Sequence, residues 1–359
     1  MALSFRIATF NVENLFCRSR LLNFRDNTVA DEVIVKVSEF RQELKKTVYD
    51  KPRILALYEE LKEFLTIAET RARLFNRDKS KVVADGVNDW DGFIDFKEAK
   101  LSEPAIQNTA RVIRSVNADI CALIEVESRL TLQRFCSQRL PASGQFKRYP
   151  HQMLIDGNDD RGIDIGLASR FPIRNLRSHV DDRNGNSLIF SRDCLEAEIV
   201  LPNGRSLWLL LNHFKSKGFG SQSESNERRL RQAEQVAKIL QGHKLTQDLV
   251  VVAGDLNDTP GSAPLAPLLN VANLHDVLQL QFPQVADRWT YHFEQNEQID
   301  YLLVSKPLKA ALQSAGVERR GIFKVETFSG GTIQPFDTVT KFTESASDHG
   351  AVWAQFTLP

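Results

Sequence analysis

Four carboxylates, two asparagines and two histidines in this chain stand at the ends of short apolar runs. A polar side chain there is costly to bury unless a partner, a metal or a reaction needs it. Asn11 closes FRIATFNV, Glu125 lies near the end of ADICALIEV, His213 near the end of SLWLLLNHF, and Asp255 and Asn257 end DLVVVAGDLN. Asp300 opens QIDYLLVS, and Asp348 and His349 open SDHGAVWAQFTL. A set rich in acceptor oxygens suits a hard cation, Mg²⁺ or Mn²⁺, rather than zinc. Such a cation polarises a phosphoryl oxygen and stabilises the leaving oxygen of an in-line displacement. In Gly254-Asp255-Leu256-Asn257 a period of two predicts Asp255 and Asn257 on one face, the carboxylate to activate a water and the amide to orient it. Bonded to Asp300, His349 would be held in one tautomer and favoured as imidazolium against a phosphate, with His213 as a second such group.

These side chains can act together only if the elements carrying them end on one edge. The runs at 5–12, 118–126, 206–214 and 248–257 read as buried strands with polar C-terminal ends, whereas 298–305 and 347–358 carry their polar residues first. If the last two run antiparallel to the others, six distant segments converge on one cleft. Helical spacing covers 108–117 and 225–241, the second stopped by Gly242, and Pro202-Asn203-Gly204 predicts a hairpin turn between 197–200 and 207–211. The layout is mixed α/β with a substantial antiparallel part. Residues 18–103 differ, being charged with both signs and carrying stretches such as ILALYEELKEFL. They read as a mostly helical insertion that leaves the sheet beside Asn11, and hence as a lid or substrate-selecting wall. Residues 215–226 and 329–331 read as flexible loops, and Gly218-Phe219-Gly220 lacks the Gly-Lys-Ser/Thr of a P-loop.

The 359 residues, 42% hydrophobic and 26% charged, exclude disordered, collagen-like and coiled-coil classes and are read as a single domain, 1–359, with the insertion at about 18–103. Lys plus Arg and Asp plus Glu both number 46, so no bulk positive field holds nucleic acid and any phosphate-seeking surface must be local. No apolar run approaches the ~20 residues of a membrane span and the opening MALSFRIATFNV lacks a signal-peptide pattern, which reads as a cytoplasmic protein without a membrane partner. Cys17, Cys121, Cys136 and Cys194 are irregularly spaced and read as reduced thiols. The sequence is silent on oligomeric state.

Singly, each polar residue has a plain structural use as a turn, a cap or a satisfied core group. Jointly, FNVENLF, LIEVES, NHFKSK, GDLND, IDYLLVS and SDHGAV, in this order, resemble the motifs of the endonuclease/exonuclease/phosphatase superfamily over residues 5–17 and about 106–358. The resemblance implies a DNase I-like four-layer α/β sandwich, two mixed sheets face to face with helices outside, and metal-dependent phosphoester hydrolysis. It assigns Asn11, Glu125 and Asp348 to the metal end, Asp255 and Asn257 to orienting the nucleophile, Asp300 and His349 to an Asp–His pair, and His213 to the second histidine. Whether Asp255 or His349 is the base, and whether one metal or two operate, stays open. Arg161 and Asp164, before the apolar run IGLASRFPI, and Lys215, after His213, are candidate phosphate contacts. Arg228, Arg229 and Arg231 read as a solvated helix face. The expected substrate is DNA or RNA, with a small phosphoester as the alternative and a silent scaffold as the third reading.

Overall fold

The computed structural model describes residues 2–15, 17–19, 27–69, 72–100, 103–159, 161–217 and 221–359, so the readings at Phe16 and at 218–220 lie outside the described residues. The chain divides into two compact units, Met1–Phe16 with Leu101–Lys217 and Ser221–Pro359, and Cys17–Lys100 with Gly218–Gly220.

Twelve strands of the first unit make two six-stranded sheets. The first sheet contains β1 (Leu3–Leu15), β2 (Ile120–Val126), β3 (His151–Ile155) and β4 (Asp164–Ser169). The second contains β5 (Ile173–Arg177), β6 (Cys194–Val200), β7 (Ser206–His213), β8 (Leu249–Asp255), β9 (Leu274–Asp276) and β10 (Asp300–Ser305). The chain then returns to the first sheet with β11 (Leu312–Glu318) and β12 (Ala351–Leu358). The orders are β11-β12-β1-β2-β4-β3 and β9-β10-β8-β7-β6-β5. Each sheet has one central parallel pair, β1 with β2 and β7 with β8, flanked by antiparallel neighbours. β10 and β12 do run antiparallel to β8 and β1, as the convergence of polar ends requires.

Side-chain alternation builds the layers. Phe5, Ile7, Ile120 and Ala122 meet Leu209, Leu211, Val251 and Ala253 between the sheets. The intervening residues Ala8, Phe10 and Leu123 face outward onto helices α1 (Glu103–Val116) and α2 (Arg129–Arg139) through Val112, Leu132 and Phe135. Leu210, Val250 and Val252 likewise face helix α3 (Gln222–Ile239) through Ala233 and Val236. Each large apolar side chain removed from water contributes about 1.5–3 kcal/mol, so the helix–sheet–sheet–helix stack is held chiefly by three apolar layers. The predicted hairpin joins β6 to β7 through Gly204 at φ +81°. The flexible reading of 215–226 needs correction at 221–226, where Ser221 and Glu224 form a capping box that starts α3 at Gln222.

The second unit has helices Asn27–Leu44 and Lys51–Leu61 and an antiparallel ribbon of Leu65–Glu69 with Gly92–Phe96. Phe40, Ile54, Leu57, Leu61 and Phe75 form its own core. Helical residues dominate its regular structure, but the stretch ILALYEELKEFL is helical only to Leu61, and its last residue opens a strand. No helix among the described residues is long and apolar enough to cross a membrane.

Candidate active site

The ends of β1, β2, β7 and β8 and the starts of β10 and β12 gather at one edge of the two sheets. Matching positions meet across the gap: Asn11 touches Asp255 at 3.2 Å, His213 Nε2 lies 3.7 Å from Glu125, and His349 bonds Asp300 at 2.8 Å. Two backbone devices aim these groups. Glu125 sits at φ +69° where the β2–β4 register slips between Ile124 and Val126, a bulge that turns its carboxylate out of the strand alternation. Asn257 sits at φ +54°, just beyond the last residue of β8. Asn257 and Asp255 do meet, but through this left-handed turn rather than through continued strand alternation. Left-handed non-glycine residues cost about 1–3 kcal/mol each and cluster at functional sites.

Asp255 is buried, and its carboxylate accepts from the Asn257 backbone N–H (2.8 Å), from Asn257 Nδ2 (3.1 Å) and from Asn11 Nδ2 (3.2 Å). Burial first, and the neighbouring Asp300 charge second, push it up to about 7. Asn11 Nδ2 also reaches Glu125 Oε1 at 3.3 Å, so one amide spans the carboxylates of both sheets. His213 Nε2 stands 3.7 Å from both Glu125 and Asp255, yet burial and the Arg192 charge hold it well below its ordinary range, which favours the neutral ring. His349 behaves oppositely. Burial lowers it, but Asp300 and then Asp348 outweigh burial and raise it well above its ordinary value, which favours the imidazolium.

Residues that sequence patterns did not single out hold this pair. The Thr290 hydroxyl accepts from the N–H groups of Ile299 and Asp300, both at 3.1 Å, and its carbonyl accepts from Gly350 N–H. Ser347 Oγ donates to the Asn11 carbonyl at 2.7 Å and accepts the His349 N–H at 3.0 Å. Tyr291 packs its ring 4.8 Å from that of His349. Their common residue types and distant partners leave no pattern to read, although Ser347 does fall inside the SDHGAV motif.

The candidate phosphate contacts divide. Arg161 forms a two-point ion pair with Asp159 (2.8 and 2.7 Å), and Arg192 Nε lies 2.9 Å from the same carboxylate, so two guanidiniums share one negative charge. Burial, then Arg192 and Arg161, bring the Lys215 ammonium down to about 8. Asp164 is buried, burial lifts it to about 7, and its carboxylate accepts from Gly157 N–H at 2.8 Å rather than facing the acid–histidine group. Arg229 is not on a solvated face: it is fully buried and bonds Asp258 at 3.0 Å and the Lys215 carbonyl at 3.0 Å.

The donor set fits a hard divalent cation. Carboxylate oxygens of Asp255 and Asp300 and a ring nitrogen of His349 lie within 4.8 Å of one another, the histidine as a charge partner rather than a ligand while it holds its proton, and the buried Asp300 Oδ1 has no hydrogen-bond partner. Glu125 and Asp348, whose side chains are 17% and 38% exposed, bring further oxygens to the open side. Two facing sheets thus present carboxylates, amides and histidines together at their shared edge.

The chain belongs to the Endonuclease/Exonuclease/phosphatase family, whose sequence model matches residues 94–349. It is 22% identical over 194 residues to sphingomyelinase C of Leptospira interrogans, a match spanning 47% of this chain and 35% of that protein. Its fold is shared by an endonuclease/exonuclease/phosphatase family protein of Bacteroides thetaiotaomicron, with TM-score 0.52, 12% identity and coverage of 100% and 99% of the two chains. TDP2 of D. rerio, solved with a single-strand DNA product, aligns with TM-score 0.50 and 15% identity over 70% of this chain and 91% of that one.

Proposed function

We propose that this phosphodiester hydrolase is a divalent-metal-dependent nuclease, cleaving DNA or RNA by in-line attack of water on phosphorus. The observation that carries the reading is the placement of Asp255, a buried carboxylate held by three N–H groups beside Asn257, where burial lifts its pKa toward neutral. A general base is most effective when its pKa lies near the working pH. Asp255 takes the proton of the attacking water. Asn257 spends its side-chain N–H groups on Asp255 and the Phe214 carbonyl, which leaves Oδ1 to orient that water. His349 places positive charge against the phosphoryl oxygens, and neutral His213 donates a hydrogen bond to them. Glu125, with Asn11 and Asp348, would hold Mg²⁺ or Mn²⁺, which supplies charge neutralisation at the phosphate and leaving oxygen. Arg161 and Lys215 bind flanking phosphate, with Asp164 behind them.

The sphingomyelinase match favours a second reading, in which the same residues hydrolyse a small or lipid-headgroup phosphodiester. Hydrolysis of a panel of single- and double-stranded DNA, RNA and small phosphomono- and diesters, with Mg²⁺, Mn²⁺ or chelator, separates the two. Asp255→Asn is expected to lower kcat by roughly 10²- to 10⁴-fold while leaving the melting temperature close to wild type. Undiminished turnover in that variant refutes the assignment of the base. Cleavage confined to small esters moves the substrate to the second class, and wild-type silence across the panel removes the enzymatic reading.

A further inference from the structure

The loop after β7 was expected to be flexible, yet every backbone polar group of Phe214 and Lys215 is engaged. Phe214 N–H donates to the Asp255 carbonyl at 2.9 Å, and Phe214 O accepts from Asn257 Nδ2 and Arg192 Nη1, each at 3.1 Å. Lys215 N–H donates to Gln232 Oε1 at 2.9 Å, and Lys215 O accepts from Arg229 Nη1 at 3.0 Å. Both partners of Lys215 come from one face of α3, three residues apart, and both are fully buried.

Arg229 does more than hold a carbonyl. Its Nε bonds Asp258 Oδ2 at 3.0 Å and its Nη2 bonds Asn226 Oδ1, so one guanidinium links the Lys215 loop to the turn that carries Asp255 and Asn257. Gln232 spends its remaining amide on Ser191 Oγ at 3.3 Å, beside Arg192. Burying a guanidinium is a poor way to add stability, because an apolar residue of similar volume usually serves as well. A planar fork with several fixed donors is instead suited to holding several acceptors at set angles.

We propose that Arg229 and Gln232 are positioning residues that fix Lys215 as a phosphate-binding group and lock its loop to the Asp255–Asp258 turn. This rests on the phosphodiesterase reading for the role of Lys215. The clamp fixes the backbone from which Lys215 projects, and its ammonium donates to the Ser216 carbonyl at 3.2 Å. Substrate phosphate then meets a lysine on a backbone already in place, so less ordering is needed on binding.

A double-mutant cycle tests it, measured as kcat/KM on whichever phosphodiester the wild type cleaves. Lys215→Ala, Arg229→Met and Gln232→Leu should each lower kcat/KM by roughly 10- to 100-fold, chiefly through KM. If the clamp acts through Lys215, adding Arg229→Met or Gln232→Leu to Lys215→Ala should cost little more. Fully additive losses overturn the proposal while leaving the hydrolase reading intact. Should Arg229→Met fail to fold, Gln232→Leu carries the cycle. Hydrogen exchange gives a readout independent of turnover: protection of the Lys215 amide should fall in Gln232→Leu, and unchanged protection overturns the clamp. Should the wild type cleave nothing, the functional reading fails and the exchange measurement alone decides on the clamp.

Discussion

Asp255 and Lys215 carry ordinary side chains whose environments move both toward neutral pH from opposite sides. For Lys215 the consequence is directional. Its folded-state value is lowered to about 8, so the charged form, which the proposal assigns to phosphate binding, is lost as pH rises through that value. The free-enzyme profile of kcat/KM should therefore fall above about pH 8. Lys215→Arg, whose guanidinium stays charged, should carry the falling limb to higher pH, and a limb that stays in place assigns it to another group. At this scale the sequence was legible wherever a polar residue interrupts an apolar run, which is how Asn11, Glu125, His213, Asp255, Asp300 and His349 stand out. It was not legible for Thr290, Arg192 or Arg229. Threonine and arginine suit exposed positions equally well, and their roles depend on partners that only the folded chain brings near.

The strands and turns that aim these residues carry their own constraints. Gly254 lies at φ +133°, and a Cβ there would sit 1.9 Å from the Asn212 carbonyl on the neighbouring strand. Gly254→Ala should therefore destabilise the fold by more than about 3 kcal/mol, read as a lowered denaturation midpoint. A variant that melts like wild type shows that β7 and β8 can separate without loss. The six site-bearing strands followed from apolar β-branched runs with boundaries shifted by a few residues, whereas His151–Ile155, Ile173–Arg177, Leu274–Asp276 and Leu312–Glu318 went unread. The left-handed turns at Glu125 and Asn257 were hidden, because nothing in LIEVES or GDLND announces a positive φ. The start of α3 was in principle readable from Ser221 and Glu224, a capping box obscured by the glycine- and serine-rich letters around it.

The whole chain carries 46 positive and 46 negative side chains, so affinity for a polyanion must come from local groups such as Arg161 and Lys215. With a polynucleotide substrate, log(kcat/KM) should fall with log salt at a slope of about 0.7–0.9 per phosphate contacted, whereas a small phosphoester should give a shallow line. A shallow line on a long nucleic acid would argue against extended contact with its backbone. The four-layer stack was implied by the family resemblance that the ordered motifs carry, the runs themselves giving a mixed α/β layout, while the ribbon of the second unit was not legible, because its strand directly follows a helix of similar composition. Three contacts of the site, Asn11–Asp255, His213–Glu125 and His349–Asp300, join a residue of one sheet to a residue of the other, and β1 lies between β2 and β12, with Leu3 opposite Leu358. During synthesis, a ribosome-bound chain still lacking β12 has neither His349 in place nor a closed first sheet. The site therefore cannot be complete before the strand that pairs with β1 on the side away from β2 has been made.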